Sequence, residues 1–198
     1  RASTMYLSFV KYRYLLDNAR GLGNCDLMHK DVQALFRSER AADKVLYKAM
    51  DDGIIIQSTN PPQSDASTKL KIADQANIDY SVVQKHDVYA FSMRVYPAMK
   101  HQNQRFRITD EQEQAKWIQS KSGENGFRIL TYSLDPSPKI TYRKKNNYCN
   151  FVGVDCNGIL KVEDREKFLL AMENGIGQEK AYGFGLLLLK GKQNAYRG

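Results

Sequence analysis

The sequence contains few of the residues that build disulfide-rich or zinc-binding proteins. It has three cysteines among 198 residues, Cys25, Cys149 and Cys156, and no Cys-x-x-Cys pair occurs. An odd number of cysteines without paired spacing predicts neither a disulfide framework nor a zinc site. We therefore expect reduced thiols, no metal ion and no other cofactor.

Long apolar runs are also absent. No segment approaches the roughly 18 residues of a membrane-spanning helix, and no signal peptide is recognisable near the N-terminus. Because reduced cysteines are typical of cytosolic proteins, we expect a cytoplasmic protein without a membrane partner.

Glycine is concentrated in one segment, which lacks the order of a nucleotide-binding loop. Glycines occupy positions 175, 177, 183 and 185, and Lys180 lies among them. A helix is predicted before them, over 163–174, and a strand over 182–189 begins at the last two of them. Dinucleotide loops need a strand first and a helix afterwards, and phosphate loops need Gly-Lys-Ser/Thr. The segment predicts either a backbone loop close to an anion or a purely structural turn in which Gly175 ends the helix.

Acidic side chains are the minority. Thirty Lys and Arg stand against 22 Asp and Glu, and the net charge of +8 is concentrated after residue 85. No acidic residue occurs between Asp135 and Asp155. Within this stretch, residues 139–145 contain Tyr142 and four cations: Lys139, Arg143, Lys144 and Lys145. Such a run favours a nucleic-acid backbone as partner, the alternative being a solvated hairpin.

The predicted elements repeat one order twice, which indicates an α+β protein with two tandem ferredoxin-like (RRM-like, βαββαβ) domains, over residues 5–84 and 86–190. The first half is expected to form strands at 6–12, 45–50, 54–58 and 78–83, with helices at 25–37 and 66–73. The second half is expected to form strands at 88–95, 126–134, 150–162 (with a turn at Asn157-Gly158) and 182–189, with helices at 109–120 and 163–174. Thr109 and Gln112 form a predicted capping box.

The helix predicted over 25–37 carries the most informative histidine. Met28, Val32, Leu35 and Phe36 recur at helical spacing and form an apolar face. The other face presents His29, Lys30, Gln33 and Arg37. A titratable base among cations suits chemistry on RNA, whereas the alternative is a plain solvated helix face.

Several segments together resemble the CasE-type CRISPR endoribonucleases, the crRNA-processing subunits of type I-E Cascade. The family ends in Gly-Ile-Gly-x-x-Lys-x-x-Gly-x-Gly-Leu-Leu, and residues 175–187 match every fixed position. Further matches are the start Met5-Tyr-Leu-Ser8, the strand Tyr89-Ala-Phe-Ser-Met-Arg94-Val-Tyr-Pro97, and Leu27-Met28-His29. The resemblance extends over most of residues 5–189 and implies the same two-domain fold.

The resemblance also implies roles for individual residues. His29 takes the place of the principal catalytic residue of a metal-independent cleavage that leaves a 2′,3′-cyclic phosphate and a 5′-OH. The basic hairpin and the glycine-rich loop are implied to bind the repeat RNA hairpin. The predicted RNA-binding residues are Lys30, Arg37, Lys139, Arg143, Lys144, Lys145, Gly177 and Lys180.

One position departs from the family pattern. Asp26 stands where the family often has a tyrosine, one helical turn before His29. Asp26 is therefore a second catalytic candidate that would orient the imidazole. The alternative is an acid in the first helical turn, where the helix dipole favours negative charge.

The sequence thus predicts an endoribonuclease that cuts CRISPR precursor RNA and remains bound to the product hairpin. Its expected partners are that RNA and the other Cascade subunits, above all the backbone subunit. A non-cleaving scaffold that holds the hairpin is the alternative, and a protein-interaction module with incidental charge is a third possibility. The steep salt dependence of phosphate contacts separates the third from the other two.

Overall fold

The chain is described from a computed structural model, in which residues 4–21, 23–37, 43–144 and 146–194 are described. The residues divide into two compact units. The first comprises the chain up to Tyr80, Pro138–Val152 and Ala181–Gly183, and the second comprises Ser81–Ser137, Gly153–Lys180 and the residues from Phe184 onward.

The described helices and strands follow in chain order. They are β1 (Thr4–Tyr12), α1 (Leu15–Gly21), α2 (Cys25–Gln33), β2 (Leu46–Ala49), β3 (Ile54–Ser58), β4 (Leu70–Asp79), β5 (Val88–Val95), β6 (Ala98–His101), β7 (Gln104–Arg107), α3 (Glu111–Glu124), β8 (Phe127–Pro136), β9 (Ile140–Lys144), β10 (Asn147–Phe151), β11 (Val154–Val162), α4 (Arg165–Asn174) and β12 (Leu187–Gln193). Short 3-10 turns occupy Tyr80–Val82 and Lys180–Tyr182.

The first unit contains a four-stranded sheet in the order β2-β3-β1-β4. All neighbouring strands are antiparallel, with Ser8 opposite Ile56 on one side and Gln75 on the other. The core joins the sheet to α2, because Val10, Ile54 and Ile56 are buried in one cluster with Met28 and Val32 of the helix. The buried face of α2 therefore determines which side chains of the helix face away from the sheet.

The second unit contains a four-stranded antiparallel sheet in the order β12-β5-β11-β8. Phe127 of β8 and Phe168 of α4 are buried, and their rings meet edge to face at 5.7 Å and 90°. Ile118 of α3 and Met93 of β5 are also buried.

Both sheets place their strands in the spatial order fourth, first, third, second, which is that of the ferredoxin-like fold. The predicted fold class, α+β with two such domains, is confirmed. The domain limits, 5–84 and 86–190, remain a prediction. The two compact units differ from these ranges, because the hairpin of β9 and β10 belongs to the first unit.

Three local predictions in the first half are wrong. Residues 66–73 form no helix: a turn at Ala66–Ser67 leads into β4, whose Leu70 pairs with Tyr12 of β1. The last strand of this half was predicted too late, since residues 80–82 form a 3-10 turn instead. The helix predicted over 25–37 ends at Gln33, after which Leu35 and Phe36 bond back three residues in a turn.

Three predictions in the second half are also corrected. Asp110, and not Thr109, caps α3, because its carboxylate accepts the Glu113 amide at 2.9 Å. Asn157-Gly158 forms no turn and lies within the continuous strand β11. A Cβ atom on Gly158 would collide with the Thr131 backbone of β8, so this glycine permits close approach of two strands. The last strand begins at Leu187 and not at residue 182, since residues 180–182 form the 3-10 turn.

Within the described ranges, no helix is both long enough and apolar enough to cross a membrane.

Candidate functional site

His29 is positioned by helix α2, whose start is fixed by a side-chain cap. The carbonyl oxygen of the Asn24 side chain accepts the amides of Asp26 at 3.1 Å and Leu27 at 3.2 Å. Asn and Asp are favoured at this position because they satisfy amides that have no partner within the helix. Cys25, Met28 and Val32 are buried against the sheet. His29 lies beside this buried row and is half-buried.

The imidazole of His29 contacts an aromatic cluster formed by Tyr142, Phe151 and Tyr182. The His29 and Tyr182 rings meet edge to face, with centroids 6.2 Å apart and planes at 74°. The Tyr182 ring stacks on Phe151 at 5.6 Å and 30° and meets Tyr142 at 5.6 Å. Tyr182 belongs to the glycine-rich segment, so that segment delivers an aromatic ring to the histidine.

The hairpin of β9 and β10 is attached to the start of α2. The Thr141 amide donates to the Gly23 carbonyl at 3.0 Å, and Thr141 forms a parallel bridge with Asn24. The hairpin that carries the predicted cations therefore belongs to the same unit as His29.

The structure describes some of the predicted hairpin cations fully and others only in part. Lys139 is exposed immediately before β9. The backbone of Arg143 and Lys144 forms β9, where Arg143 pairs with Tyr148 of β10. The side chains of Arg143 and Lys144, and the whole of Lys145, lie outside the described part of the chain.

Asp26 and Lys30 form an ion pair on successive turns of α2. The Asp26 carboxylate lies 3.2 Å from the Lys30 Nζ, and their side chains are 33% and 66% exposed. The two predicted functional residues thus engage each other, and such an exposed pair contributes little stability. Arg37 is exposed beyond the end of α2. The pKa of Asp65 is lowered by two hydrogen bonds from Ser67 and further by the Arg37 charge.

Gly177 and Lys180 belong to the second unit. The Lys180 ammonium is half-buried, and this burial lowers its pKa because the charged form loses solvation. Gly177 has φ +83°, and a Cβ on it would come within 2.7 Å of the Trp117 ring. Gly177 therefore has a packing reason to be glycine, independent of any contact with RNA.

A substitution tests this packing role. We expect Gly177→Ala to lower the free energy of unfolding by about 1–3 kcal/mol, because the new side chain forces a strained backbone against Trp117. The measurement is urea unfolding of both proteins.

The matched control is Gly123→Ala in α3, where no atom lies within 4 Å of the new Cβ. That change should stabilise the protein by roughly 0.5–1 kcal/mol, since glycine weakens helix interiors. An unchanged unfolding curve for Gly177→Ala, together with weaker RNA binding, would assign this glycine to RNA contact alone.

Tyr182 is the residue that the sequence prediction missed, since it was assigned to the last strand. A signal was nonetheless present: Gly183 and Gly185 follow Tyr182 closely, and glycines are less typical of the interior of a strand. Among the described residues, no group of three or more His, Cys, Asp or Glu side chains is arranged to hold a metal ion.

Comparisons with known proteins relate most of the chain to one family. Residues 5–190 match the model of the family described as CRISPR associated protein. A search of curated proteins finds no match.

Solved structures share the fold. The endoribonuclease Cse3 bound to a 19-nucleotide RNA has a TM-score of 0.83 at 19% identity, covering 95% of this chain and 98% of that one. Cse3 of Thermus thermophilus, bound to RNA as a pre-cleavage complex, has a TM-score of 0.79 at 19% identity, covering 95% and 100%. Cas6e of Escherichia coli K-12 has a TM-score of 0.74 at 19% identity, covering 93% and 98%.

The family match covers nearly the entire chain, and both sheets have the strand order expected from the sequence. The resemblance to CasE-type proteins is confirmed, and the chain belongs to the family of CRISPR associated proteins.

Proposed function

We propose that this protein is an endoribonuclease that cuts CRISPR repeat RNA within the precursor transcript, with His29 as the principal catalytic residue. The observation that carries the proposal is the position of His29. It lies half-buried on the helix to which the basic hairpin is attached, with its imidazole beside Tyr182 of the glycine-rich segment. A proton-transfer group thus lies in the same unit as a candidate phosphate-binding element.

The reaction is an internal transfer at phosphorus. A base takes the proton of the ribose 2′-OH, and the 2′-oxygen attacks the adjacent phosphorus. The bond from phosphorus to the 5′-oxygen breaks, and an acid gives a proton to that leaving oxygen. The products are a 2′,3′-cyclic phosphate and a 5′-OH. Histidine suits either proton transfer because its pKa lies near neutrality. Cations of the hairpin stabilise the negative charge that develops on the phosphoryl oxygens.

RNA binding in this proposal comes from cations on several elements. Lys30 and Arg37 follow His29 along the chain, and Lys139, Arg143, Lys144 and Lys145 are on or beside the hairpin. Lys180 contributes from the glycine-rich loop, where a bound phosphate would compensate the lost solvation of its half-buried ammonium. Gly177 lets the backbone of the same loop approach the RNA.

Two kinds of solved structure support a proposal about the setting. Cse3 was solved with bound RNA, and a chain of a CRISPR RNA-guided surveillance complex shares this fold. We infer that this protein acts in the cytoplasm, stays on the 3′ hairpin of the mature RNA, and joins Cascade through the backbone subunit.

The proposal is tested by incubating the protein with its host's repeat RNA in EDTA. We expect one cut, in the presence of chelator, with a cyclic phosphate on the upstream product, because the proposed chemistry needs no metal. Products are sized on a gel, and acid treatment, which opens a cyclic phosphate, identifies the end group. Cleavage that requires magnesium, or that leaves a 3′-OH, would contradict the mechanism.

A second candidate function is a scaffold that holds the RNA hairpin without cutting it. It is favoured by the ion pair between Asp26 and Lys30, because a carboxylate stands at the position of the tyrosine in the CasE-type pattern and already engages a lysine. Tight binding of repeat RNA with no product after prolonged incubation would select the scaffold.

The hairpin is tested through the salt dependence of binding. Replacing Arg143, Lys144 and Lys145 together with Ala should weaken binding of hairpin RNA and reduce the slope of log K against log salt by roughly 0.7–0.9 for each lost phosphate contact. Binding is measured by fluorescence anisotropy over a series of salt concentrations.

The control removes the same charge elsewhere, through Lys71→Ala, Lys100→Ala and Lys116→Ala, three exposed lysines outside the proposed site. This control triple should leave the slope nearly unchanged. An equal loss of slope in both triples would show that net charge, and not the hairpin, carries the binding.

A further inference from the structure

The surroundings of His29 indicate how its imidazole is held. Helix α2 fixes the backbone of His29 through buried Met28 and Val32, but these side chains anchor the helix and not the imidazole. The Tyr182 ring meets the imidazole edge to face at 6.2 Å and 74°. Aromatic rings favour this arrangement over a face-to-face sandwich.

The Tyr182 ring is itself held from several sides. It stacks on Phe151 and tilts against Tyr142, both at 5.6 Å between centroids. Directly before it, the Ala181 carbonyl accepts the Tyr47 hydroxyl at 2.7 Å. Directly after it, Gly183 is buried with φ +91°, and a Cβ there would lie 3.1 Å from the Tyr47 ring. Packing on both ring and backbone leaves Tyr182 little freedom to turn away from His29.

We propose that Tyr182 is a positioning residue for His29, holding the imidazole in the orientation in which it transfers a proton. This inference rests on the proposed cleavage function. The contact between the two residues joins their rings, so the proposal assigns the positioning to the aromatic ring of Tyr182. Proton transfer depends steeply on geometry, so a reacting group misplaced by about 1 Å can cost on the order of 100-fold in rate.

Two substitutions separate ring from hydroxyl. Tyr182→Leu should lower the single-turnover cleavage rate by about 10- to 100-fold, measured with protein in excess so that binding does not limit the rate. The dissociation constant for uncleaved 2′-deoxy RNA should stay nearly unchanged. Tyr182→Phe should retain the rate. The control is Tyr14→Leu, an exposed tyrosine of the first unit that is 69% exposed, and it should match the wild type.

A double substitution tests whether Tyr182 acts through His29. In His29→Ala there is no imidazole to orient, so adding Tyr182→Leu should lower the cleavage rate little further. A residue that only stabilises the fold or binds RNA would slow both backgrounds equally. Should Tyr182→Leu fail to fold, Tyr142→Leu serves in its place, because it removes one of the rings that hold Tyr182.

A spectroscopic measurement tests the contact without any cleavage. The chain has three histidines, and the ring-proton signals of His29 are the set that disappears in His29→Ala. Tyr182→Leu should shift these signals, because the ring current of the tyrosine is lost, while Tyr182→Phe should leave them nearly in place.

The outcomes distinguish this inference from the proposed function. A wild-type protein that cuts no RNA would overturn the function, and the inference with it, even where the signals shift. The inference alone would be overturned by a different result: cleavage depends on His29, but Tyr182→Leu changes neither the cleavage rate nor the His29 signals. Equal slowing by Tyr182→Leu in both backgrounds would do the same.

Discussion

Replacing His29 with alanine should lower the single-turnover rate of RNA cleavage by about 100- to 10,000-fold, the usual contribution of general acid-base catalysis. The affinity for uncleaved RNA should hardly change, because the side chain is proposed to move a proton and not to bind phosphate. The rate is measured with protein in excess over labelled RNA, and the affinity with RNA that lacks the attacking hydroxyl.

The matched control is His101→Ala, an exposed histidine of β6 in the second unit. It should cleave at the wild-type rate. A loss of less than about tenfold in His29→Ala, well short of the usual catalytic contribution, would mean that another group carries the proton transfer. Asp26→Asn is then the next variant, since it removes the carboxylate charge and keeps the side-chain shape.

A single 2′-deoxy nucleotide at the cut site should abolish cleavage. The proposed nucleophile is the 2′-oxygen itself, so without it the transfer at phosphorus has no attacking atom, and no protein side chain replaces it. Binding should be preserved, because most protein contacts with nucleic acid go to phosphates and sugars along the whole site. The experiment compares two otherwise identical repeat RNAs for gel products and for anisotropy.

The same deoxy substitution one nucleotide away from the cut is the internal control, and it should be cut normally. Cleavage that persists at the substituted position would show that water or another hydroxyl attacks, and the cyclic-phosphate mechanism would fall. Loss of both cutting and binding would instead mean that the hydroxyl is a recognition contact.

Periodicity along the chain predicted most of the fold. Strands such as β5 and β3 and helices such as α4 follow from local patterns that tertiary packing reinforces. The repeated order of elements then predicted two ferredoxin-like sheets, and both sheets have the strand order of that fold.

The failed predictions share one physical cause. Residues 66–73 resembled a short helix, and Asn157-Gly158 resembled a hairpin turn, yet both segments contribute to long antiparallel strands. Local propensity is a weak preference that pairing with a neighbouring strand overrides. At Gly158 the glycine is needed because the Thr131 backbone comes too close for any side chain.

The candidate site also has one part that the sequence predicts and another that it does not. The sequence by itself determined that His29 lies on a helix beside Lys30, because helical spacing and residue chemistry suffice for that. Only the tertiary structure decided that Tyr182, Phe151 and Tyr142 meet beside that histidine and that Thr141 ties the hairpin to Gly23. These contacts join segments far apart in the chain, and no local pattern encodes which distant side chains will share a core.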